Sequence, residues 1–328
     1  MTPLMREAAF IQRNRERWQR LEAVSQGLAA APADEISALY VTLTDDLSYA
    51  RTFYPGSNVQ DYLNGLAVRV HQHIYRNRRM PRGSFARFWK VDVPLAMAAT
   101  RPLLLLSFTV FALAVAIGAL SAAHDPSFPR LIMGDGYVDM TLENIRKGEP
   151  MAVYGSMGES PMFLGITLNN IFVALRAFAA GLLASFGTAV LLLQNGIMVG
   201  AFQYFFHEQG VLTESLLTIW VHGTLEIGAI IIAGAGGFAL GRGLLFPGTY
   251  TRLQSLRHGA RLGMRIVIGL VPVFIMAGFL EAFVTRHALR VPPAVDIAII
   301  GLSLSFMLWY FILYPYHVQR TRAPRQVA

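Results

Sequence analysis

The chain has 328 residues, of which 54% are apolar and 15% charged, with a mean hydropathy of +0.44 and a net charge of +8. A soluble domain carries about 25% charged residues, so this composition argues against a soluble protein and favours a polytopic membrane protein. The abundance of apolar residues excludes a disordered chain, and the absence of cysteine excludes disulfides, thiolate metal sites and cysteine nucleophiles. Basic cytoplasmic loops account for the positive charge, so we expect no nucleic-acid partner.

Residues 1–92 are predicted to form a cytoplasmic domain of amphipathic helices. Apolar residues recur there at helical spacing in three stretches, and turn residues separate the stretches. The predicted helices are Arg6–Gln26, Glu35–Thr52 and Asn58–Arg78. Charged residues interrupt all three, so none of them is predicted to span a membrane.

A cluster of arginines precedes the first long apolar run. Its members are Arg76, Arg78, Arg79, Arg82 and Arg87. Juxtamembrane basic residues favour the cytoplasmic side of a membrane and contact with anionic headgroups. The cluster therefore predicts a cytoplasmic N-terminus and membrane lipids as partners, although a merely solvated basic surface would give the same pattern.

Residues 93–328 are predicted to form a membrane domain of about six spans, because apolar runs near 20 residues long cross a bilayer. The runs are Leu103–Ala122, Phe163–Phe206, Leu212–Leu240, Val267–Val284 and Ala294–Tyr314. A turn at Ser185–Gly187 would divide the longest run into two spans, and a broken or re-entrant helix at Gln194–Gly196 is the alternative. The loop near residues 123–161 holds six acids and three bases, which predicts an extracytoplasmic position.

Loop charges predict the orientation of the spans. Arginines mark the loop between the fourth and fifth spans and the C-terminal tail: Arg242, Arg252, Arg257, Arg261, Arg265, Arg320, Arg322 and Arg325. Basic residues concentrate on the cytoplasmic side, so both termini are expected in the cytoplasm, in a multi-pass protein of a bacterial inner membrane. Arg286 and Arg290 argue against this arrangement, because it places them outside.

Polar side chains inside the predicted spans are the functional candidates, because ionisable groups are costly in a bilayer. They are Asn169, Asn170, Arg176, Asn195, His222, Glu226 and Glu281. His222 and Glu226 are four residues apart and therefore lie on one helix face. Glu281 belongs to the next span, so these groups are expected to converge in one layer between the outer half and the midplane of the membrane.

Three interpretations of this polar cluster remain open. Its side chains join helices by hydrogen bonds, line a proton or ion pathway, or bind a divalent metal in an intramembrane hydrolase. The metal ligands would be His222, Glu226 and Glu281, without the second histidine of an HExxH helix. No other cofactor is expected. The absence of a complete catalytic motif favours a non-enzymatic protein without deciding the question.

Small residues on the same predicted span indicate close helix packing. Ala229, Ala233, Gly237 and Gly241 recur every four positions, a spacing that lets helices approach closely. The residues predicted to serve this packing are Gly223, Ala233, Gly234, Gly237 and Gly241. The run Gly234–Gly237 is not a phosphate loop, because it lies inside an apolar span and no lysine follows it.

The same residues carry a resemblance to a known family. The matching positions are Trp18, Tyr40, Asp46-Leu47, Tyr62-Leu63-Asn64, Asn169-Asn170, Gln194-Asn195-Gly196, His222-Gly223, Glu226, Ala277-Gly278 and Glu281. With these positions the chain resembles the stage II sporulation protein M family of polytopic membrane proteins. In spore formers the resemblance implies a part in engulfment alongside cell-wall hydrolases. The family extends to bacteria that form no spores, so it implies no particular reaction.

Together these observations predict an all-α polytopic membrane protein with an N-terminal cytoplasmic helical domain. We expect it to act as a scaffold or as a channel- or transporter-like homo-oligomer, with other membrane or cell-envelope proteins as further partners. An intramembrane metal-dependent hydrolase is the alternative.

Overall fold

The structure is a computed structural model that describes residues 6–29, 31–76, 83–155, 158–285 and 292–322. Contacts between residues divide the chain into two compact units, Met1–Ser84 and Phe85–Ala328. All regular secondary structure in the described residues is helical, so the all-α prediction is confirmed. Among the residues of the orientation argument, Arg78, Arg79, Arg82, Arg286, Arg290 and Arg325 lie outside the described ranges.

Three amphipathic helices form the N-terminal unit. They are α1 (Glu7–Ser25), α2 (Ala33–Phe53) and α3 (Asn58–Arg76). Their apolar faces meet in a core that includes Trp18, Leu43 and Leu63, each at most 3% exposed. The indole Nε1 of Trp18 donates a hydrogen bond of 2.9 Å to Asp46, so a polar contact also holds α1 to α2.

A short helical segment opens the second unit. It consists of α4 (Ser84–Arg87), a π-helical turn (Phe88–Asp92) and α5 (Val93–Ala99). The hydroxyl of Tyr310 donates to the carbonyl of Trp89 at 2.7 Å, and that of Tyr314 donates to the carbonyl of Lys90 at 3.1 Å. Side chains near the end of the chain therefore fix this segment against the last helix of the bundle.

The rest of the second unit contains α6 (Arg101–His124), α7 (Phe128–Met133), α8 (Asp135–Arg146), α9 (Glu159–Ala179), α10 (Phe186–Glu208), α11 (Leu212–Leu245), α12 (Arg252–Phe279), α13 (Pro293–Leu308) and α14 (Tyr314–Arg322). Within the described residues, six helices are long and apolar enough to cross a membrane. The six-span prediction is thereby confirmed. A 3₁₀ turn extends α9 to Leu182, and π-helical segments extend α12 to Val284 and join α13 to α14.

The boundary between the second and third spans lies at the predicted turn. Ala184 and Ser185 have positive φ angles of 51° and 68° between α9 and α10. Helix α10 then continues without a break through Gln194–Gly196, so the alternative of a broken or re-entrant helix there is wrong. Buried Gly196 packs against the backbone of α6 at this point, which makes it a contact residue of a regular helix.

Helices α11 and α12 are longer than the predicted spans. Helix α11 has 34 residues, and α12 together with its π-helical end has 33. At 1.5 Å per residue, each is about 50 Å long. The hydrocarbon core of a bilayer is about 30 Å thick. Both helices are therefore longer than a hydrocarbon core is thick.

The segment between α6 and α9 is folded rather than an irregular loop. Val138 of α8 and Met151 pack with Phe205 and Phe206 near the end of α10. Arg130 of α7 forms ion pairs of 3.1 and 2.7 Å with Asp135 and Asp139. Helices α7 and α8 thus form a compact cap over one end of the bundle.

Helix α11 is the centre of the bundle and contacts α6, α9, α10, α12 and α13. Three of its small residues face neighbouring atoms so closely that a Cβ would overlap them. Gly234 faces Ser107 of α6, Gly237 faces the Ala177 carbonyl and Thr188, and Gly241 faces Ser185. Ala233 is fully buried. Gly223 differs, because among the described residues the atoms within 4 Å of its added Cβ all belong to α11 itself.

Glycines also bring α6 and α10 together. A Cβ on Gly118 would overlap the backbone of Ile197, and one on Gly200 would overlap the carbonyl oxygen of Val115. Side chains are therefore excluded along this contact, and the two helices pack backbone to backbone.

Candidate functional site

Three spans bring four polar side chains together inside the bundle. His222 and Glu226 come from α11, Asn170 comes from α9, and Glu281 comes from the π-helical end of α12. One potential ligand atom each of His222, Glu226 and Glu281 lies within 4.8 Å of the other two. We call these four residues the polar centre.

Short contacts fix the side chains of the polar centre. The amide Nδ2 of Asn170 donates a hydrogen bond of 2.5 Å to Glu226 Oε1. On the imidazole of His222, Nδ1 lies 3.0 Å from Thr285 Oγ1 and Nε2 lies 3.8 Å from Glu281 Oε2. His222 is 4% exposed, and the side chain of Glu281 is 13% exposed. Groups so enclosed are costly unless a partner, a proton or a cation compensates them.

Local sequence explains how these helices reach one another. A Cβ on Gly278 of α12 would overlap Thr167 Oγ1 of α9, and the adjacent Ala277 is fully buried. The π-helical turn Leu280–Val284 follows directly and carries Glu281. Such π turns inside α-helices are frequent at functional sites. Small residues therefore draw α12 against α9 just before the turn that presents the carboxylate.

A cavity of about 460 Å³ adjoins the polar centre. Its polar wall consists of Asn169, Asn170, Asn195, Gln203, His222 and Glu226. The remaining lining residues are largely apolar, and Met133 and Tyr137 of the cap close one side. Burial raises the pKa of the Tyr137 phenol above its usual value, so this side chain is neutral at physiological pH. The cavity thus extends from the cap to His222 and Glu226 of the polar centre.

Three of the predicted site residues lie outside the polar centre. Asn195 lines the cavity, and its Nδ2 donates to the carbonyl of Leu191 at 2.8 Å. Asn169 lies at the exposed edge of the cavity wall. Arg176 is exposed on α9 and is not among the cavity-lining residues. It is six residues from Asn170, a spacing of about 240° on a helix with 3.6 residues per turn, so it points away from the buried face.

The chain also matches the sequence model of a known protein family. The family model of stage II sporulation protein M matches residues 107–286, which is more than half of the chain. The chain belongs to the stage II sporulation protein M family. A domain of unknown function (DUF8413) matches residues 8–76, within the N-terminal unit. No curated protein and no solved structure matches the chain.

The part of the chain matched by the stage II sporulation protein M model contains the whole polar centre. It also contains a line of polar side chains on α11. Ser215, Thr218, His222 and Glu226 follow at intervals of three, four and four residues, and hence on one helix face. Ser215 and Thr218 are fully buried, and within the described residues their hydroxyl oxygens have no hydrogen-bond partner. This α11 polar line extends about 16 Å from the cap side of the bundle to Glu226.

One residue of the site, and one buried acid on a neighbouring helix, were not predicted from the sequence. Thr285 contacts His222 and follows Glu281 by four residues, a spacing that indicates a shared helix face. Asp296 is 2% exposed in the first turn of α13, which packs on α11, and its Oδ1 has no partner in the described part of the chain. In the sequence, the signal for Asp296 was the position of an acid at the start of an apolar span.

Proposed function

We propose that this protein is a channel- or transporter-like membrane protein in which the polar centre binds a proton or a metal cation in transit. The convergence of His222, Glu226 and Glu281 inside a bundle of membrane-spanning helices carries the proposal. Intramembrane ionisable groups typically mark ion pathways and proton relays. The adjoining cavity and the α11 polar line supply approaches to the centre from the cap side.

The charge balance of the centre favours an ion-binding role over a purely structural one. Within the described residues, neither Glu226 nor Glu281 forms an ion pair with lysine or arginine. Two largely enclosed carboxyl groups without a lysine or arginine partner must share protons, pair with a protonated His222 or accept a mobile cation, because uncompensated charge in such a place is strongly unfavourable. A scaffold would use the Asn170–Glu226 hydrogen bond as a helix contact, but it does not need a second carboxyl group beside it.

Flux measurement in proteoliposomes tests this proposal. Purified full-length protein is reconstituted with a pH-sensitive or divalent-sensitive dye inside, and dissipation of an imposed gradient is followed. We expect Glu281→Gln to lower the flux by about two orders of magnitude, as loss of an essential transfer group does. Glu214→Gln is the matched control, because Glu214 is an exposed carboxylate at the start of α11. Unchanged flux in a folded Glu281→Gln protein contradicts the proposal.

An intramembrane metal-dependent hydrolase is the second candidate function. His222, Glu226 and Glu281 offer one nitrogen and two carboxylate oxygens, a set that suits zinc or iron. The cavity beside His222 and Glu226 leaves room for a further ligand. Elemental analysis of the purified protein tests this candidate. The hydrolase requires stoichiometric bound metal in the wild type, and this metal is expected to be lost in His222→Leu. A wild-type protein without bound metal contradicts this candidate.

We also propose that the protein lies in the inner membrane of a bacterium with both termini in the cytoplasm. Residues 241–280 contain five arginines and no acid, which supports a cytoplasmic α11–α12 connection. The natural absence of cysteine permits a direct measurement. In intact cells an impermeant thiol reagent is expected to label Ser127→Cys in the cap, whereas Thr249→Cys in the α11–α12 connection reacts only after lysis. The reverse pattern contradicts this orientation.

We further propose that copies of the chain associate through α9. Asn169, Phe172 and Arg176 lie on one exposed face of this membrane-spanning helix. A second copy would remove the amide of Asn169 and the guanidinium of Arg176 from lipid, where they are costly. Native mass spectrometry of the protein in nanodiscs is expected to give a multiple of the chain mass of 36.2 kDa. A monomer in the wild type contradicts association.

A further inference from the structure

A second cavity, of about 410 Å³, lies at the start of α12 and is open, because all of its lining residues are exposed. Its lining residues are Tyr250, Gln254, Arg257, His258 and Arg261. None of them belongs to the polar centre or to the cavity beside it, and the α11–α12 connection lies at the opposite end of α11 from the cap. We call it the basic cavity.

The residues of the basic cavity form one face of a well-anchored helix start. Gln254, Arg257, His258 and Arg261 follow at i, i+3, i+4 and i+7, which places them side by side. Thr251 Oγ1 accepts a hydrogen bond from the backbone N–H of Gln254, and Gln254 Oε1 accepts one from the N–H of Thr251, both at 3.3 Å. The oxygen of Gln254 is thereby occupied. Its remaining amide hydrogens and the two guanidinium groups are all hydrogen-bond donors.

Positive charge in this region is uncompensated. Residues 241–280 hold five arginines and no aspartate or glutamate. In the part of the chain that the structure describes, no ion pair joins Arg257 or Arg261 to a carboxylate. Guanidinium groups bind phosphate oxygens in a bidentate manner and pair with them strongly. The chemistry of the basic cavity therefore matches a phosphate group.

The depth of the cavity identifies the source of that phosphate. Arg265 is 19 residues from Val284, the end of the span, a distance of about 28 Å along the helix. A hydrocarbon core is about 30 Å thick, with an interfacial layer of about 6 Å on each side. If Val284 lies at one hydrocarbon boundary, Arg261 lies about 4 Å beyond the other, and Arg257 about 10 Å beyond it. Arg261 is thus at the level of lipid headgroups, and Arg257 lies about 4 Å outside that layer, from where its long side chain can extend back to it.

We propose that the basic cavity binds the phosphate of an anionic phospholipid, with Arg257 and Arg261 as its principal ligands. The bound lipid fixes the depth of the α11–α12 hairpin in the bilayer. This site is independent of the ion-binding role of the polar centre, and each proposal stands or fails by itself.

Lipid titration of the delipidated full-length protein tests the proposal. Phosphatidylglycerol is added in detergent, and bound lipid is counted by native mass spectrometry. Arg257→Gln/Arg261→Gln is expected to raise the Kd at least about tenfold, since it removes both guanidinium groups that pair with the phosphate oxygens. Arg252→Gln/Arg265→Gln is the matched control, because it removes the same charge from residues that do not line the cavity. Its Kd is expected to rise less than about threefold, because exposed charges outside the site are largely screened by salt.

Other outcomes overturn the proposal. An equal loss of affinity in both double variants means that charge attracts lipid without a defined site. Equal binding of phosphatidylcholine by the wild type means that the anionic lipid is not selected. Displacement of the lipid by millimolar inorganic phosphate means that the ligand is a free phosphate. If the double variant does not fold, Arg257→Lys replaces it. That variant keeps the charge but loses bidentate geometry, and an unchanged Kd counts against Arg257 as a ligand.

Discussion

Replacing Gly237 with leucine is expected to remove most of the folded protein from the membrane. Even a single added Cβ would overlap the carbonyl oxygen of Ala177 and the hydroxyl of Thr188. These two atoms are hydrogen-bonded to each other at 2.7 Å, so neither can move without loss of that bond. Overpacking a core side chain costs about 1–3 kcal/mol. A clash with backbone exceeds this range and approaches the whole stability of a typical protein, about 5–15 kcal/mol.

Gly301→Leu supplies the control for this substitution. Gly301 also lies in a membrane-spanning helix, α13, but it is exposed, and an added Cβ there meets no atom within 4 Å. The yield of monodisperse protein after detergent extraction, together with the thermal unfolding midpoint, measures the difference. We expect the Gly301 variant to resemble the wild type. Similar losses in both variants would show that the close contact at Gly237 does not determine packing.

Replacing Asn170 with leucine is expected to lower the free energy of unfolding by about 2 kcal/mol, because a buried acceptor left without its donor costs roughly 1–3 kcal/mol. Asn170 donates the 2.5 Å hydrogen bond to Glu226 and is itself 9% exposed. The loss should therefore depend on the presence of Glu226. In a Glu226→Leu background, the same Asn170→Leu change is expected to cost much less, since no carboxylate remains to be satisfied.

Asn169→Leu distinguishes the hydrogen bond from a general effect of the amide. Asn169 is adjacent in sequence, exposed, and at the edge of the cavity wall. We expect its replacement to leave the stability of the detergent-solubilised protein within about 0.5 kcal/mol of the wild type. A cost for Asn170→Leu that is the same with and without Glu226 would mean that this hydrogen bond contributes nothing to stability.

Much of the fold was predictable because a bilayer fixes the length and polarity of its spans. The six spans and the turn near Ser185 follow from apolar run length and turn residues. The helical cap did not follow, because α7 and α8 are short and bury only a few residues each. Their partners, such as Phe205 and Phe206, are distant in sequence. The early start of α12 was missed because its first residues are basic rather than apolar.

The part of the candidate site that depends on residue spacing along the sequence was predictable. His222 and Glu226 share a helix face by spacing alone, and Glu281 follows on an antiparallel neighbour. The rotation of α9 was not predictable, because apolar residues surround most of its circumference and no single face stands out. The sequence therefore did not distinguish Asn170, which points inward, from Arg176, which points outward. The π-helical turn at Glu281, and with it the contact of Thr285, also has no reliable signal in a single sequence.

Close glycine contacts pair α6 with α10 beside the cavity and join α6, α9 and α10 to α11 at Gly234, Gly237 and Gly241. Gly118 and Gly200 bring the backbones of α6 and α10 into contact. Gly237 and Gly241 hold the start of α10 against α9 and α11 at the opposite end from the cap. The cavity separates the pair from Asn170, His222 and Glu226 on α9 and α11. A larger side chain at Gly118 or Gly200 would therefore push apart two helices that wall the cavity, whereas one at Gly237 would separate α10 from α9 and α11 at the opposite end of the bundle.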